Sequence, residues 1–166
     1  MTLEQLNQLP EHEAETLMRD CCAAEAWVRG MVGARPFSSP EALHGTARAL
    51  WPSLMESDWL AAFEAHPKIG DIKSLKARYA STEAMASGEQ AGASVAPEAV
   101  LHRLKEGNDA YYARFGFIFI VCATGKSAEQ MLELLEARLP NERAEEIRVA
   151  AVEQAKITHI RLDKLL

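Results

Sequence analysis

The sequence predicts an all-α protein, a single domain covering residues 1–166 and folded as an irregular bundle of about eight or nine helices. Two observations lead to this fold class. Helix start and stop signals recur along the chain, and the one stretch rich in β-branched and aromatic residues, 117–123, has no second strand to pair with. The segments are too short and too numerous for a regular four-helix bundle.

The first five predicted helices begin at capping residues or end at prolines and glycines. Thr2 with Gln5 fits a capping box, and Ser39-Pro40-Glu41 combines a cap, a first-turn proline and an acid. We expect one helix between Thr2 and Pro10, then helices over 10–24 and 26–32, one opening at Ser39, and one over 57–65 capped by Ser57. Leu17, Cys21 and Ala24 would face the core from the second of these.

The second half begins with two predicted helices, 72–79 and 81–90, followed by a loop of small residues over 90–97. A long helix then runs from Pro97-Glu98 to about Arg114 and ends at Gly116. Residues 117–123 are read as a buried extended segment whose amides can face a ligand. Ser127 with Gln130 opens a helix to residue 139, and Asn141 caps a last helix to about residue 164.

Composition excludes several classes of protein. The chain is 48% apolar and 25% charged with a net charge of −6, and no basic stripe favours nucleic acid. No apolar run is long enough to cross a bilayer. The acidic N-terminus lacks a signal-peptide pattern, and the C-terminus is not of the peroxisomal SKL type. Three cysteines, two of them adjacent, form no disulfide framework, so we expect a cytoplasmic protein.

The hexapeptide His66-Pro-Lys-Ile-Gly-Asp71 is the first candidate site. Pro67 disfavours helix at the residue before it, so the preceding helix should end near His66. The negative end of the helix dipole favours imidazolium there, which suits a proton-transfer group. The alternative is a histidine that only terminates the helix before a turn.

Arg161 is the second candidate, because it lies on the predicted core-facing stripe of the last helix. Ala150, Gln154, Ile157 and Leu165 share that stripe at 100° per residue. A buried guanidinium needs partners. Either a structural carboxylate pairs with it internally, or it clamps a carboxylate or planar amide of a ligand.

Glu89 and Gln90 are a third candidate, where helical signal gives way to the small-residue loop. They would either hold a polar ligand or form a solvated helix end. The five histidines and three cysteines show no close metal-ligand spacing, so we expect no metal site.

Four separated motifs give the chain a family resemblance. They are 66–71, Glu89-Gln90, the block from Tyr112 through Phe115-Gly-Phe117 to 122–127 (Cys-Ala-Thr-Gly-Lys-Ser), and 156–162 (Lys-Ile-Thr-His-Ile-Arg-Leu). In order and spacing they resemble the OHCU decarboxylases (2-oxo-4-hydroxy-4-carboxy-5-ureidoimidazoline decarboxylases), which act late in uric acid breakdown. The resemblance implies a helical, cofactor-free homodimer that converts OHCU to (S)-allantoin with loss of CO₂.

The resemblance also implies residue roles. His66 would be the catalytic acid/base, Glu89 would orient the substrate or His66, and Arg161 would hold an anionic or ureido group. The pocket lining would come from Pro67 and two short segments: Ala86, Ser87, Gly88, Glu89, Gln90 and Phe119, Ile120, Val121, Cys122, Ala123. Family members often carry serine three residues before the glutamate, where this chain has Ala86 with Ser87 one step later.

Two other classes remain open from the residues alone. A non-catalytic helical ligand-binding or adaptor protein would use His66 as a helix terminator and Arg161 in an internal ion pair. A hydrolase of a related hydantoin ring would usually need a metal, for which no ligand set is visible in the sequence.

Overall fold

The structure of the protein, a computed structural model, describes residues 1–67 and 98–166 together with Lys73, Leu75 and Ala77. In these residues all regular structure is helical, which confirms the all-α prediction. The α-helices of the two long ranges are α1 Leu3–Gln8, α2 Glu11–Cys21, α3 Glu25–Gly33, α4 Pro40–Leu50, α5 Glu56–Glu64, α6 Glu98–Phe115, α7 Ala128–Arg138 and α8 Arg143–Leu165, with a 3₁₀ turn at Trp51–Ser53.

Three predicted helix starts are confirmed by their hydrogen bonds. Thr2 and Ser127 each form a reciprocal capping box with the glutamine three residues later, and the Ser39 side chain accepts from the Ala42 amide. Each side chain satisfies an amide that the first turn leaves without a helical partner. Local sequence therefore determines where α1, α4 and α7 begin.

Two predicted caps are wrong. Helix α5 begins one residue earlier than expected, and the Met55 amide donates to the Asp58 carboxylate, so Ser57 lies inside the first turn. In helix α8 the first helical hydrogen bond runs from the Glu146 amide to the Glu142 carbonyl, so Glu142 and not Asn141 is the capping residue. The Asn141 side chain instead donates to Glu146 at 3.1 Å, because a buried carboxylate there needs donors.

Helix α2 is shorter than the predicted 10–24. It ends at Cys21, and Cys22 is extended with φ −157° and ψ 118°. The buried face consists of Ala14, Met18 and Cys21, whereas Leu17 is only half-buried. The chain turns before Ala24 can continue the stripe, and Ala24 is buried just ahead of α3 instead.

The segment after α6 is buried and irregular, and its predicted extended conformation stays a prediction. Gly116 ends the helix with φ +80°, a conformation that favours glycine, and its amide donates to the Tyr112 carbonyl. Residues 118–123 then have neither helical nor strand structure. Phe117 and Ile120 are each 2% exposed, so this irregular segment is part of a core.

The chain forms two compact units. Unit 1 comprises Met1–His66 and Ala151–Leu166, and unit 2 comprises Pro67–Ala150. That all 166 residues form one domain stays a prediction. In unit 1, Trp51 Nε1 donates to the Ala151 carbonyl at 2.8 Å and so ties α8 to the 3₁₀ turn. The unit 1 core contains Leu6, Met18, Trp27, Met31, Leu43 and Phe63, all at most 1% exposed.

Unit 2 contains a buried polar network. Glu146 is fully buried and accepts from Tyr111 Oη at 2.6 Å and from the Arg138 guanidinium. Arg138 also donates to the Ile120 carbonyl at 2.7 Å, which anchors the irregular segment. Its guanidinium carbon lies 4.5 Å from the centre of the Phe119 ring. Burial and the contact with Glu146 raise the pKa of Tyr111, so the phenol stays protonated as a donor.

The predicted helix 81–90 and loop 90–97 lie outside the described residues. Of the predicted helix 72–79, Lys73, Leu75 and Ala77 are helical, and Leu75 is buried. Within the parts of the chain that the structure describes, none of the helices has the length and apolarity that a membrane span needs.

Candidate active site

His66 lies directly after the end of α5. The helix ends at Glu64, and the His66 amide makes a last turn-type bond to the Phe63 carbonyl at 3.2 Å. Pro67 follows, which explains why the helix does not continue. The predicted position of His66 at a helix C-terminus is therefore confirmed, and its side chain is half-buried.

One face of α8 supplies the groups around His66. Gln154, Thr158 and Arg161 are spaced four and three residues apart, so they lie on the same side of the helix. His66 Nε2 is 2.5 Å from Gln154 Oε1, and Gln154 Nε2 donates to Thr158 Oγ1 at 3.2 Å. Gln154 is 1% exposed, so its amide is held away from water.

This chain of contacts determines which nitrogen of His66 carries the proton. The Thr158 hydroxyl oxygen accepts from the Gln154 amide nitrogen, Nε2, at 3.2 Å. The Gln154 oxygen then faces His66 and accepts from Nε2–H. The basic lone pair of the neutral imidazole is consequently on Nδ1.

His66 is held in its neutral form more strongly than the sequence predicted. Burial lowers the pKa of His66, the positive charge of Arg161 lowers it further, and the hydrogen bond to Gln154 acts in the opposite direction. The helix end by itself favours imidazolium, so the lowered pKa runs against that one influence and in the direction expected from the charge of Arg161.

Arg161 is half-buried and donates from Nη1 to the Cys21 carbonyl at 3.3 Å. Its inward position agrees with the helical periodicity. Among the described residues, no carboxylate forms an ion pair with Arg161. Both interpretations of Arg161, as part of an internal ion pair and as a clamp for a ligand, therefore stay open. The carbonyl of Cys21 fixes one end of the guanidinium fork.

The cysteines beside Arg161 are not nucleophiles. None of the three cysteines is in a disulfide bond, and all three are buried. Burial raises the pKa of Cys21 and of Cys22 to about 11, although the charge of Arg161 opposes this. Both thiols are therefore protonated near neutral pH and serve as packing groups, as the sequence suggested.

The remaining predicted site residues lie in unit 2 or outside the described residues. Pro67 is exposed; of the lining segment, Phe119, Ile120 and Cys122 are buried, whereas Val121 and Ala123 are half-buried. Two backbone carbonyls of that segment already accept hydrogen bonds from side chains of the protein. The Ile120 carbonyl accepts from Arg138, and the Cys122 carbonyl accepts from Lys126 at 2.7 Å. Residues 68–71 and Ala86, Ser87, Gly88, Glu89 and Gln90 lie outside the described residues.

Sequence reasoning missed Gln154 and Thr158 as site residues. The sequence analysis placed Gln154 on the same face of the last helix as Arg161. An amide side chain on a core-facing stripe needs a hydrogen-bond partner, and that need was the available signal. Nothing local indicated that its partner would be His66, 88 residues earlier in the chain.

Fold and site together define an all-helical protein with a neutral histidine positioned beside an arginine by one helix face. The chain belongs to the OHCU decarboxylase family, whose sequence pattern it matches over residues 7–163.

Named relatives agree with this membership. The chain is 36% identical over 146 residues to the uric acid degradation bifunctional protein TTL of Arabidopsis thaliana. The match covers 87% of this chain and 45% of that protein. This chain thus spans less than half the length of that relative. It is 29% identical over 172 residues to the 2-oxo-4-hydroxy-4-carboxy-5-ureidoimidazoline decarboxylase of Amia calva, covering 100% of this chain and 95% of that protein.

A solved structure gives the same result for the fold. A crystal structure of OHCU decarboxylase in the presence of (S)-allantoin superposes with a TM-score of 0.70 at 34% sequence identity. The match covers 89% of this chain and 94% of that chain.

Proposed function

We propose that this chain catalyses the cofactor-independent decarboxylation of OHCU to (S)-allantoin, a late step of uric acid catabolism. The family match over residues 7–163 carries the proposal. Support comes from the solved relative, which was crystallised in the presence of (S)-allantoin. The cluster of His66, Gln154 and Arg161 has the chemistry that the reaction requires.

The reaction needs no external electron acceptor. The bond between the ring carbon and the carboxylate breaks, CO₂ leaves, and the electron pair passes into the adjacent unsaturated ring system. The ring nitrogen takes up the one proton that is consumed, the substrate hydroxyl becomes a carbonyl, and the hydroxyl proton is replaced by a new C–H bond on the neighbouring ring carbon that carries the ureido group. The protein has to orient the substrate, stabilise the developing charge and deliver a proton to one face of that ureido-bearing carbon.

His66 supplies the proton transfer in this proposal. Neutral imidazole with its lone pair on Nδ1 accepts the substrate hydroxyl proton, and the resulting imidazolium returns a proton to the carbanion. Gln154 is a positioning residue, because it acts through His66 by holding the Nε2–H tautomer. The lowered pKa of His66 supports a base at the start of the cycle rather than an acid.

Arg161 binds an anionic or ureido group of the substrate in this proposal. Its planar fork presents donors that match a carboxylate or a urea. We further propose that Glu89 orients the substrate or His66, and that Pro67 and the segments 86–90 and 119–123 line the pocket. These roles follow from the family resemblance.

We also propose that the protein is a cytoplasmic homodimer. Three buried cysteines without a disulfide bond suit a reducing compartment. The dimer follows from the family resemblance, and light scattering on the purified protein measures it directly. A monomer at working concentrations would contradict it.

The test of the activity generates OHCU in situ with urate oxidase and hydroxyisourate hydrolase. Circular dichroism then follows the appearance of (S)-allantoin with and without this protein. We expect rapid formation of an optically active product. Decay at the spontaneous rate to racemic product, from folded protein, would refute the proposed function.

The His66→Asn variant tests the proton-transfer role. We expect its turnover to fall by about 10²–10⁴-fold, the usual contribution of general acid–base catalysis. His102→Gln is the matched control, since His102 is an exposed histidine on α6. A loss below about tenfold in His66→Asn would exclude the role of His66 while leaving the activity itself established.

A further inference from the structure

A second cluster of polar side chains lies in unit 1, on a different face of α8 from Gln154 and Arg161. It consists of His44 on α4 with His159 and Asp163 on α8. We propose that these three residues bind a divalent transition-metal ion such as Zn²⁺. The proposal is independent of the decarboxylase function.

The spacing of the three side chains suits a shared ion. His44 Nε2 is 2.7 Å from Asp163 Oδ1, and His159 Nε2 is 3.4 Å from Asp163 Oδ2. One ligand atom from each residue lies within 4.8 Å of the other two. Ligands about 2.0–2.1 Å from a tetrahedral zinc are roughly 3.3 Å from one another. Binding of an ion would replace the His44–Asp163 hydrogen bond, and the proton on His44 Nε2 would move to Nδ1 or to solvent.

The backbone holds these residues in place before any ion binds. His159 and Asp163 are four residues apart on α8, so their side chains share one helix face. The His44 side chain is 10% exposed, and its ring centre lies 4.1 Å from that of His159. His44 is therefore already placed next to the other two side chains.

The cluster is also accessible to an ion. The side chains of His159 and Asp163 are 47% and 59% exposed, so an ion can reach them from solvent. A mostly apolar cavity of about 20 Å³ adjoins the two histidines, and Asp163 does not line it. Arg48 also lines this cavity and weakens binding of a cation, whereas the Asp163 carboxylate favours it.

The ligand set indicates the class of metal. Two imidazole nitrogens and one carboxylate oxygen suit zinc, cobalt, nickel or copper, whereas magnesium and calcium prefer oxygen ligands. Three protein ligands leave at least one position for water. We therefore expect zinc to bind and magnesium not to.

The proposal is tested by titrating Zn²⁺ and Mg²⁺ into the full chain after chelator treatment. Calorimetry should give one saturable zinc site per chain and no magnesium binding, and zinc should raise the melting temperature. Failure to bind zinc, or equal binding of magnesium, would refute the site. Neither measurement involves OHCU, so a failure here leaves the proposed function untouched.

Variants locate the ion. His159→Gln and Asp163→Asn should each weaken zinc binding by about tenfold or more, and both positions are exposed, so the fold should tolerate them. His12→Gln and His102→Gln, at exposed histidines outside the cluster, should bind as the unaltered chain does. Zinc binding that survives His159→Gln and Asp163→Asn, or that is lost in His66→Asn, would overturn the proposal.

A spectrum excludes the cysteines as the source of binding. Cobalt bound by nitrogen and oxygen ligands shows d–d bands without the intense near-ultraviolet band of a cobalt–thiolate bond. We expect the spectrum without that band. A thiolate band would show that the metal binds elsewhere in the chain and would refute this site.

Discussion

At His66, burial and the charge of Arg161 act on the imidazole in the same direction. Both lower its pKa, and the hydrogen bond from Nε2 to Gln154 only partly opposes them. The side chain that would accept a proton from the substrate is therefore neutral in the resting protein. The same arginine that would bind the substrate also keeps the base ready.

Removing the Arg161 charge should raise the pKa of His66. We expect the acid limb of the kcat/KM profile to move to higher pH in Arg161→Gln, besides any loss of substrate affinity. The His66 ring titration followed by NMR measures the shift without substrate. Arg148→Gln, at an exposed arginine of the same helix, is the control and should leave the titration unchanged. An unchanged titration in Arg161→Gln would contradict the coupling.

The same pKa makes stability depend on pH with a definite sign. Because the folded-state pKa of His66 is lowered, the unfolded chain binds the proton more readily. The contribution of His66 to stability is complete above its ordinary value of about 6.5 and is lost as the pH falls through the folded-state pKa. His66→Asn should reduce this acid-side loss in chemical denaturation.

At this scale the sequence predicted the position of a residue better than its chemistry. The 3.6-residue period correctly placed Arg161 on the inward face of α8, and Pro67 correctly placed His66 at the end of α5. The sequence did not predict how far the His66 ring is buried, which is the main cause of its lowered pKa, nor its hydrogen bond to Gln154, a partner 88 residues away. The roles of Glu89 and of segment 86–90 remain predictions.

Helices α6 and α7 approach closely where α6 has no side chain. A Cβ atom added at Gly107 would lie 2.6 Å from Cδ2 of Leu135, which is fully buried. Glycine costs about 1 kcal/mol relative to alanine within a helix, so a packing reason is expected for it here. The close contact supplies that reason.

Two glycine-to-alanine substitutions should therefore have opposite effects. Gly107→Ala forces Leu135 to move within a filled core, and we expect a net loss of about 1 kcal/mol in the free energy of unfolding. Gly45→Ala on α4 meets no atom within 4 Å, so the helix preference should stabilise it by about 0.5–1 kcal/mol. Urea denaturation measures both; a stabilised Gly107→Ala would show that the two helices are loosely packed.

Predictions of single elements succeeded where the signal was local. The caps at Thr2, Ser39 and Ser127 and the stop at Gly116 were correct because the participating residues lie within four positions of one another. The predicted end of α2 and the predicted cap of α5 were wrong. At Cys22 and Met55 the outcome depends on the path of the following chain and on the competing acceptor Asp58.

For the whole molecule, the stability of unit 2 depends on the buried carboxylate of Glu146. It is 0% exposed, whereas the ion pair of Arg103 with Glu136 is on the surface. A buried ion pair contributes little net stability compared with apolar residues in its place. Removing only one partner, however, leaves a buried charge without compensation and strongly destabilises the fold. Glu146 also accepts from Tyr111 and Asn141, so its loss affects three donors.

The two carboxylates should differ sharply in substitution experiments. Glu146→Gln should lower the free energy of unfolding by about 3–5 kcal/mol, because Arg138 would be left charged and buried. Glu136→Gln should change it by less than about 1 kcal/mol, since water screens the surface pair. Thermal and urea unfolding compare them directly. Similar losses in both would mean that Arg138 finds another partner or gains water.

The fold class was predictable from the sequence, but its long-range organisation was not. Helix signals and the lack of a second strand were enough for the all-α prediction. Unit 1 joins residues 1–66 to residues 151–166, and both polar clusters of that unit use this join. No periodicity predicts which distant helix faces meet, so Gln154 beside His66 and Asp163 beside His44 emerged only from the structure.

The division into units also separates the chromophores of the chain. Its three tryptophans, Trp27, Trp51 and Trp59, all belong to unit 1, and its three tyrosines all fall in the residue range of unit 2. Trp59 Nε1 donates to the Trp51 carbonyl at 3.0 Å, and the two rings lie 6.1 Å apart. Selectively excited tryptophan emission thus reports on the environment of unit 1 alone. The unaltered chain therefore carries an optical label for one of its two parts.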